Sequence, residues 1–76
     1  MNSTMEKETI LKGKITSALF LENMTTIEIV EKFDFPGENE GDKMANAIKI
    51  LQQLVHQNKI YRERDILTKK FYFKLN

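Results

Sequence analysis

The sequence contains no cysteine and no tryptophan, a single proline, a single histidine and three glycines among its 76 residues. Without cysteine there is neither a disulfide frame nor thiolate chemistry, so stability must come from apolar packing, and a reducing interior is a compatible setting. His56 has no second ligand-type residue at metal spacing, so it reads as a surface or helix-end side chain and no metal is expected. No apolar run approaches the roughly 18 residues needed to span a bilayer. The N-terminus, Met1 to Glu6, lacks the basic-then-apolar order of a secretory leader, so a cytoplasmic location away from membranes is expected. The sparse proline, with 41% hydrophobic and 30% charged residues, is the profile of a folded domain rather than a disordered tail. Such a length supports one core, so residues 1–76 are expected to form a single domain.

Catalytic sets are equally scarce. The segment from Gly37 to Gly41 is not followed by the Lys-Ser or Lys-Thr pair of a phosphate loop, and read as a calcium loop it puts Pro36 where the first ligand belongs. No nucleophile, base and orienting group suggest themselves as a unit, so the chain is expected to be no enzyme and to carry no cofactor.

Charge is little in sum and large in distribution. The formal net charge is +1, yet residues 1–42 hold four lysines against nine acids, or −5, and residues 43–76 hold eight lysines and arginines against two acids, or +6. A polyanionic partner would be met by the second half.

Periodicity organises the chain. Ser3 with Glu6 is a capping-box signature opening a helix over about residues 5–22, with Leu11, Ile15, Ala18 and Leu19 as its core stripe. Gly13 in mid-helix costs about 1 kcal/mol relative to Ala. With Ile10, Ser17 and Leu21 it makes a shallow second face, which either packs against the C-terminal strands or meets a second copy of the chain in a homodimer. Thr25 with Glu28 repeats the capping box and opens a short helix over about 26–33, with Ile27, Val30 and Phe33 facing inward. Pro36-Gly37 ends it in a turn, followed by an acidic loop with Glu38 and Glu40.

The spacing predicts a third helix over about Asp42–Gln57, with Met44, Ala47, Ile48, Leu51, Leu54 and Val55 on one face and Asp42, Asn46, Lys49, Gln53 and Gln57 opposite. Asn58 stands where a left-handed cap is expected. From Lys59 the period becomes two: Lys59–Glu63 and Lys70–Leu75 read as strands of an antiparallel hairpin whose connection is longer than a two-residue turn.

Helix, short helix, turn, helix, hairpin resembles the winged helix-turn-helix family over nearly the whole chain. The stretch that carries the likeness best has Ile48, Leu51 and Leu54 three apart, then the helix stop at Asn58, then the apolar strand start at Ile60. The resemblance implies an α+β, mainly α fold, a three-helix core with a C-terminal β-hairpin wing, and a third helix that reads duplex DNA. Lys43, Asn46, Lys49 and Gln53 would then face the major groove, where Asn and Gln pair with adenine and Lys reaches guanine or phosphate. Arg62, Arg64, Lys69 and Lys70, with Lys74, would put the wing on the backbone, and Tyr61 and Tyr72 would either touch sugar and phosphate or pack across the strands. The expected function is a sequence-specific DNA-binding regulator acting as a homodimer through helix 1. The alternative is an adaptor or inhibitor that docks on a protein through the acidic turn at 34–42.

Overall fold

Apolar residues recurring every three or four positions, and then every second position, divide the chain into helices and a terminal strand pair. The computed structural model describes residues 3–76, with side chains from Glu6 onward. Its elements are α1 (Ser3–Leu21), α2 (Thr26–Lys32), α3 (Glu40–His56), β1 (Ile60–Arg64) and β2 (Phe71–Leu75). The architecture is α+β, mainly α, as expected. The Ser3 capping box involves a side chain outside those described.

Leu11, Ile15 and Leu19 of α1 are buried at helical spacing, with Ala18 packed beside them. The stripe meets Ile29 of α2 and Ala47, Ile50, Leu51 and Leu54 of α3, and Met24, Phe35, Ile60 and Phe73 close the cluster from the connections and strands. Burying side chains of this size stabilises by about 1.5–3 kcal/mol each. No polar or charged residue is buried among those described.

Local chemistry sets the helix ends. The Thr25 hydroxyl accepts from the Glu28 amide at 3.2 Å, and the Thr25 amide donates to Glu28 Oε1 at 2.9 Å. Both halves of the predicted capping box are thus formed. Asn39 caps α3 by accepting from the Asp42 amide at 2.9 Å, which starts that helix at Glu40 rather than at the expected Asp42. At the other end Asn58 takes φ 58°, its amide donates to Val55 O, and the Lys59 amide donates to Leu54 O. That pair of bonds is a Schellman stop, with Asn in the left-handed position the sequence assigned to it.

Strands β1 and β2 pair antiparallel, with Ile60 opposite Leu75, Arg62 opposite Phe73 and Arg64 opposite Phe71. Met24, in the connection between α1 and α2, pairs with Phe73 as an isolated bridge: the Phe73 amide donates to Met24 O at 2.7 Å and the Met24 amide to Phe73 O at 3.3 Å. A strand position before the second helix thereby joins the hairpin, an arrangement compatible with winged-helix topology.

Two helix faces differ from expectation. In α2 the inward side is Thr26, Ile29, Val30 and Phe33, and Ile27 points to solvent. With the start fixed at Thr25, Ile27 lies about 200° around the cylinder from Ile29, so both cannot face the core. In α3 Ile50 is buried while Ile48 and Val55 are exposed, so the inward arc is turned by roughly 50° from the predicted one. Apolar residues cover more than half of this helix, and the neighbouring elements cover only part of that arc.

Gly37 and Gly13 make opposite demands. A Cβ at Gly37 would lie 2.7 Å from the Lys43 amide nitrogen, so the turn packs its backbone directly onto the first turn of α3. At Gly13 a Cβ would meet nothing within 4 Å, and Ile10, Ser17 and Leu21 are exposed, so this face is left open while α1 meets β2 elsewhere. Gly37→Ala is expected to cost about 1–3 kcal/mol, whereas Gly13→Ala gains about 0.5–1 kcal/mol through helix propensity. Denaturant melts of the two variants should move in opposite directions.

Glu28 also makes stability pH-dependent. Its bonds to Thr25, first to the backbone amide and then to the side chain, hold its carboxyl below the ordinary value of 4.5, with a further push from the charge of Lys70. A depressed folded-state pKa gives a contribution that is present above about 4.5 and is lost as pH falls through the lowered value. A glutamine in place of Glu28 would keep the acceptor of the capping box without the charge. Glu28→Gln is therefore expected to flatten the fall of stability below this pH, measured by urea midpoints across the acid range.

Candidate nucleic-acid interface

The surface that α3 leaves open is set by which residues the core takes. Ala47, Ile50, Leu51 and Leu54 go inward, and Ala45, Ile48, Lys49, Gln52, Val55 and His56 remain on the exposed side. Ile48, Gln52, Val55 and His56 border a groove whose other walls are Thr26 of α2 and Arg62 and Phe73 of the hairpin. The exposed side of α3 and one face of the ribbon therefore border the same hollow.

The register explains why the ribbon turns this face inward. Ile60, Arg62 and Arg64 on β1 stand opposite Leu75, Phe73 and Phe71 on β2, and alternation puts all six on one face. Ile60 and Phe73 fill the core near the base of the ribbon. Further out the same face becomes solvent-exposed, with the Arg62 guanidinium 4.1 Å above the centre of the Phe71 ring. This stacking holds the cation without neutralising it. On the opposite face Lys74 Nζ meets Glu63 Oε1 at 3.2 Å, so this member of the basic set is engaged within the ribbon. Tyr61 and Tyr72 share that outer face, opposite Lys74 and Glu63 respectively, which favours their cross-strand role.

The eight residues expected to form the site separate into groups. Lys49 is exposed on the open side of α3. Arg62, Arg64, Lys69 and Lys70 are exposed on the hairpin and its connection, and none of them makes an ion pair within the described residues. Lys43 is half-buried, in line with the inward stripe of Ala47, Ile50 and Leu54 and one turn before it. Asn46 is half-buried and donates from Nδ2 to Pro36 O at 2.6 Å, pinning the 34–39 turn to α3. Gln53 is half-buried too, and its Oε1 is screened from solvent with no partner among the described residues. These three belong to the flank of the helix that faces its own protein, which follows from the turned arc. Gln52 and His56 hold the open positions instead. Their signal was the width of the apolar arc of α3, too broad for a single core-facing stripe.

Glu38, Glu40 and Asp42 are exposed around the start of α3. Glu40 and Asp42 lie in its first turn, where negative charge is favoured by the helix dipole. Among the described residues no group of His, Cys, Asp and Glu is arranged to hold a metal ion, and no helix is long and apolar enough to cross a membrane.

The chain matches no family model, no curated protein and no solved structure. The role of the surface therefore rests on its own chemistry.

Asn46 gives a direct check on this assignment. Asn46→Ala removes a bond that ties the turn to α3 and is expected to lower stability by about 1 kcal/mol. It should leave the affinity for any ligand of the groove unchanged once the folded fraction is accounted for, as read by a titration well below the melting temperature.

Proposed function

We propose that this chain is a small cytoplasmic winged-helix protein that binds duplex DNA in a sequence-specific way as a transcriptional regulator, with α3 in the major groove and the hairpin on the backbone. The observation that carries the reading is the shared hollow: Gln52 and His56 of α3 border the same groove as Arg62, on the ribbon face that also carries Arg64. Lys49 and Gln52 supply base-edge chemistry, and Arg62, Arg64, Lys69 and Lys70 supply phosphate contacts. A homodimer through the outer side of α1 would repeat this surface. Ile10, Gly13, Ser17 and Leu21 lie on that side, and Phe20 and Leu21 at its end are 75% and 82% exposed. An isologous pair of this kind suits half-sites one helical turn apart.

A second reading, an adaptor or inhibitor that docks on a protein, is favoured by one feature. Ile48 and Val55 make part of the groove apolar, so a partner docked through the acidic turn at 34–42 would find a second, apolar contact there. The two readings differ in salt dependence. Phosphate-driven binding must weaken with a slope of about −0.9 in log K against log salt for each phosphate neutralised on B-DNA. Generic duplex DNA is expected to bind at low salt with such a steep slope, and Lys69→Glu with Lys70→Glu should make the slope shallower by roughly two and weaken binding accordingly. Absence of affinity at low salt, or a double variant indistinguishable from wild type, overturns the DNA reading.

A further inference from the structure

The connection between β1 and β2 presents the two most exposed large apolar side chains in the described chain, Ile66 at 89% and Leu67 at 92%. A loose loop would be an ordinary place for them, but this connection is tightly held. The Lys69 amide donates to Asp65 O and the Asp65 amide to Lys70 O, both at 2.8 Å. The Asp65 carboxylate accepts from the Leu67 amide at 2.8 Å and from the Thr68 amide at 3.2 Å, and the Lys70 amide donates to Thr68 Oγ1 at 3.3 Å. Lys69 completes the reversal in the left-handed region, at φ 62°. The tip's one acid is thus turned onto its own backbone. What the tip shows to solvent is a pair of aliphatic side chains with Arg64 on one side and Lys69 and Lys70 on the other.

Aliphatic side chains flanked by cations, of which Arg64 and Lys69 form no ion pair among the described residues, match the minor groove of a duplex, whose walls are phosphates and whose floor, once a base step is opened, is an apolar stacking surface. A charge-free apolar tip would suit a protein pocket, and a purely cationic tip would suit the backbone alone. We propose that the hairpin tip is an apolar wedge, with Ile66 and Leu67 entering the minor groove and partly unstacking a base step while Arg64, Lys69 and Lys70 hold the flanking phosphates. The inference rests on the DNA-binding reading and adds to it a deformation of the duplex. A wedge of this kind kinks DNA toward the major groove by about 20–90°. It favours the easily unstacked pyrimidine–purine steps, so part of the specificity would arise at positions where no side chain touches a base edge.

The test uses the full chain and a duplex of about 30 base pairs with a central TA step, carrying 2-aminopurine at that step and a donor–acceptor dye pair at its ends. Wild type is expected to bind, to raise the 2-aminopurine fluorescence and to shorten the end-to-end distance. Ile66→Ser with Leu67→Ser leaves every backbone bond of the tip available. It should retain the salt slope and change affinity by roughly tenfold or less, because lost burial is offset by the unstacking no longer required. It should abolish both the fluorescence rise and the shortening. Binding by wild type without either signal, or equal signals from the serine variant, overturns the wedge while leaving the DNA reading intact. No binding at all overturns both. The same two proteins titrated with vesicles of anionic lipid provide the competing case: wild-type binding lost in the serine variant, with DNA geometry unaffected, assigns the tip to a bilayer and overturns the wedge.

Discussion

Two backbone hydrogen bonds between Met24 and Phe73 fix how the strands sit on the helices. They stitch the middle of β2 to the connection between α1 and α2, and the side chains of both residues are buried in the same cluster. Once Phe73 faces inward, alternation decides the rest of the ribbon. Phe71 and Leu75 share its face, and the register brings Ile60, Arg62 and Arg64 to that face as well. A slip of one residue would turn the arginines to the outer side and bring Tyr61 and Glu63 into the groove beside α3. The charge on the groove thus follows from a packing requirement several residues away.

The helix stops and starts were largely legible because they rest on local chemistry. The capping box at Thr25 and Glu28, the left-handed Asn58 and the long hairpin connection each need only a few neighbouring residues, and each formed as the sequence implied. The phase of α3 was not legible in the same way. Its apolar residues span an arc wider than its neighbours cover, so the centre of that arc fell near Leu51 in the sequence, whereas packing against α1, α2 and β1 selected Ile50 and released Ile48 and Val55. The error passed directly into the candidate site. An inward Ile48 and Val55 put Asn46 and Gln53 outward, and a single rotation of the helix reverses both. Residues on the strands escaped this error because a period of two leaves only two choices of face.

Phe35 illustrates a different limit. It lies between a helix end and Pro36-Gly37, where turn chemistry dominates the reading, yet it is 2% exposed and among the largest fully buried side chains. Nothing in the local pattern distinguishes an anchored turn from a free one. The anchoring comes from α3, through the Asn46 bond to Pro36 O and the close approach of Gly37 to the Lys43 amide. A loop that reads as an acidic linker is in fact pinned at both levels, by a side chain and by direct backbone contact.

The charges of the two halves differ in what they do for the fold, and this bears on the proposed partner more than their sum does. Glu28 closes a capping box, Asp65 satisfies two amides of the hairpin tip, Glu63 pairs with Lys74, and Glu40 and Asp42 sit where a helix start favours them. Each of these acids has a reason inside the molecule. Among the described residues Lys49, Arg64 and Lys69 have no such partner, and Arg62 rests on an aromatic ring that leaves its charge unneutralised. Isolated surface cations add little to stability even when paired, so their clustering on one ribbon and the adjoining helix side is not accounted for by folding. Glu40 and Asp42 at the start of α3 therefore have a reason in the helix itself, whereas Lys49, Arg64 and Lys69 have none within the fold.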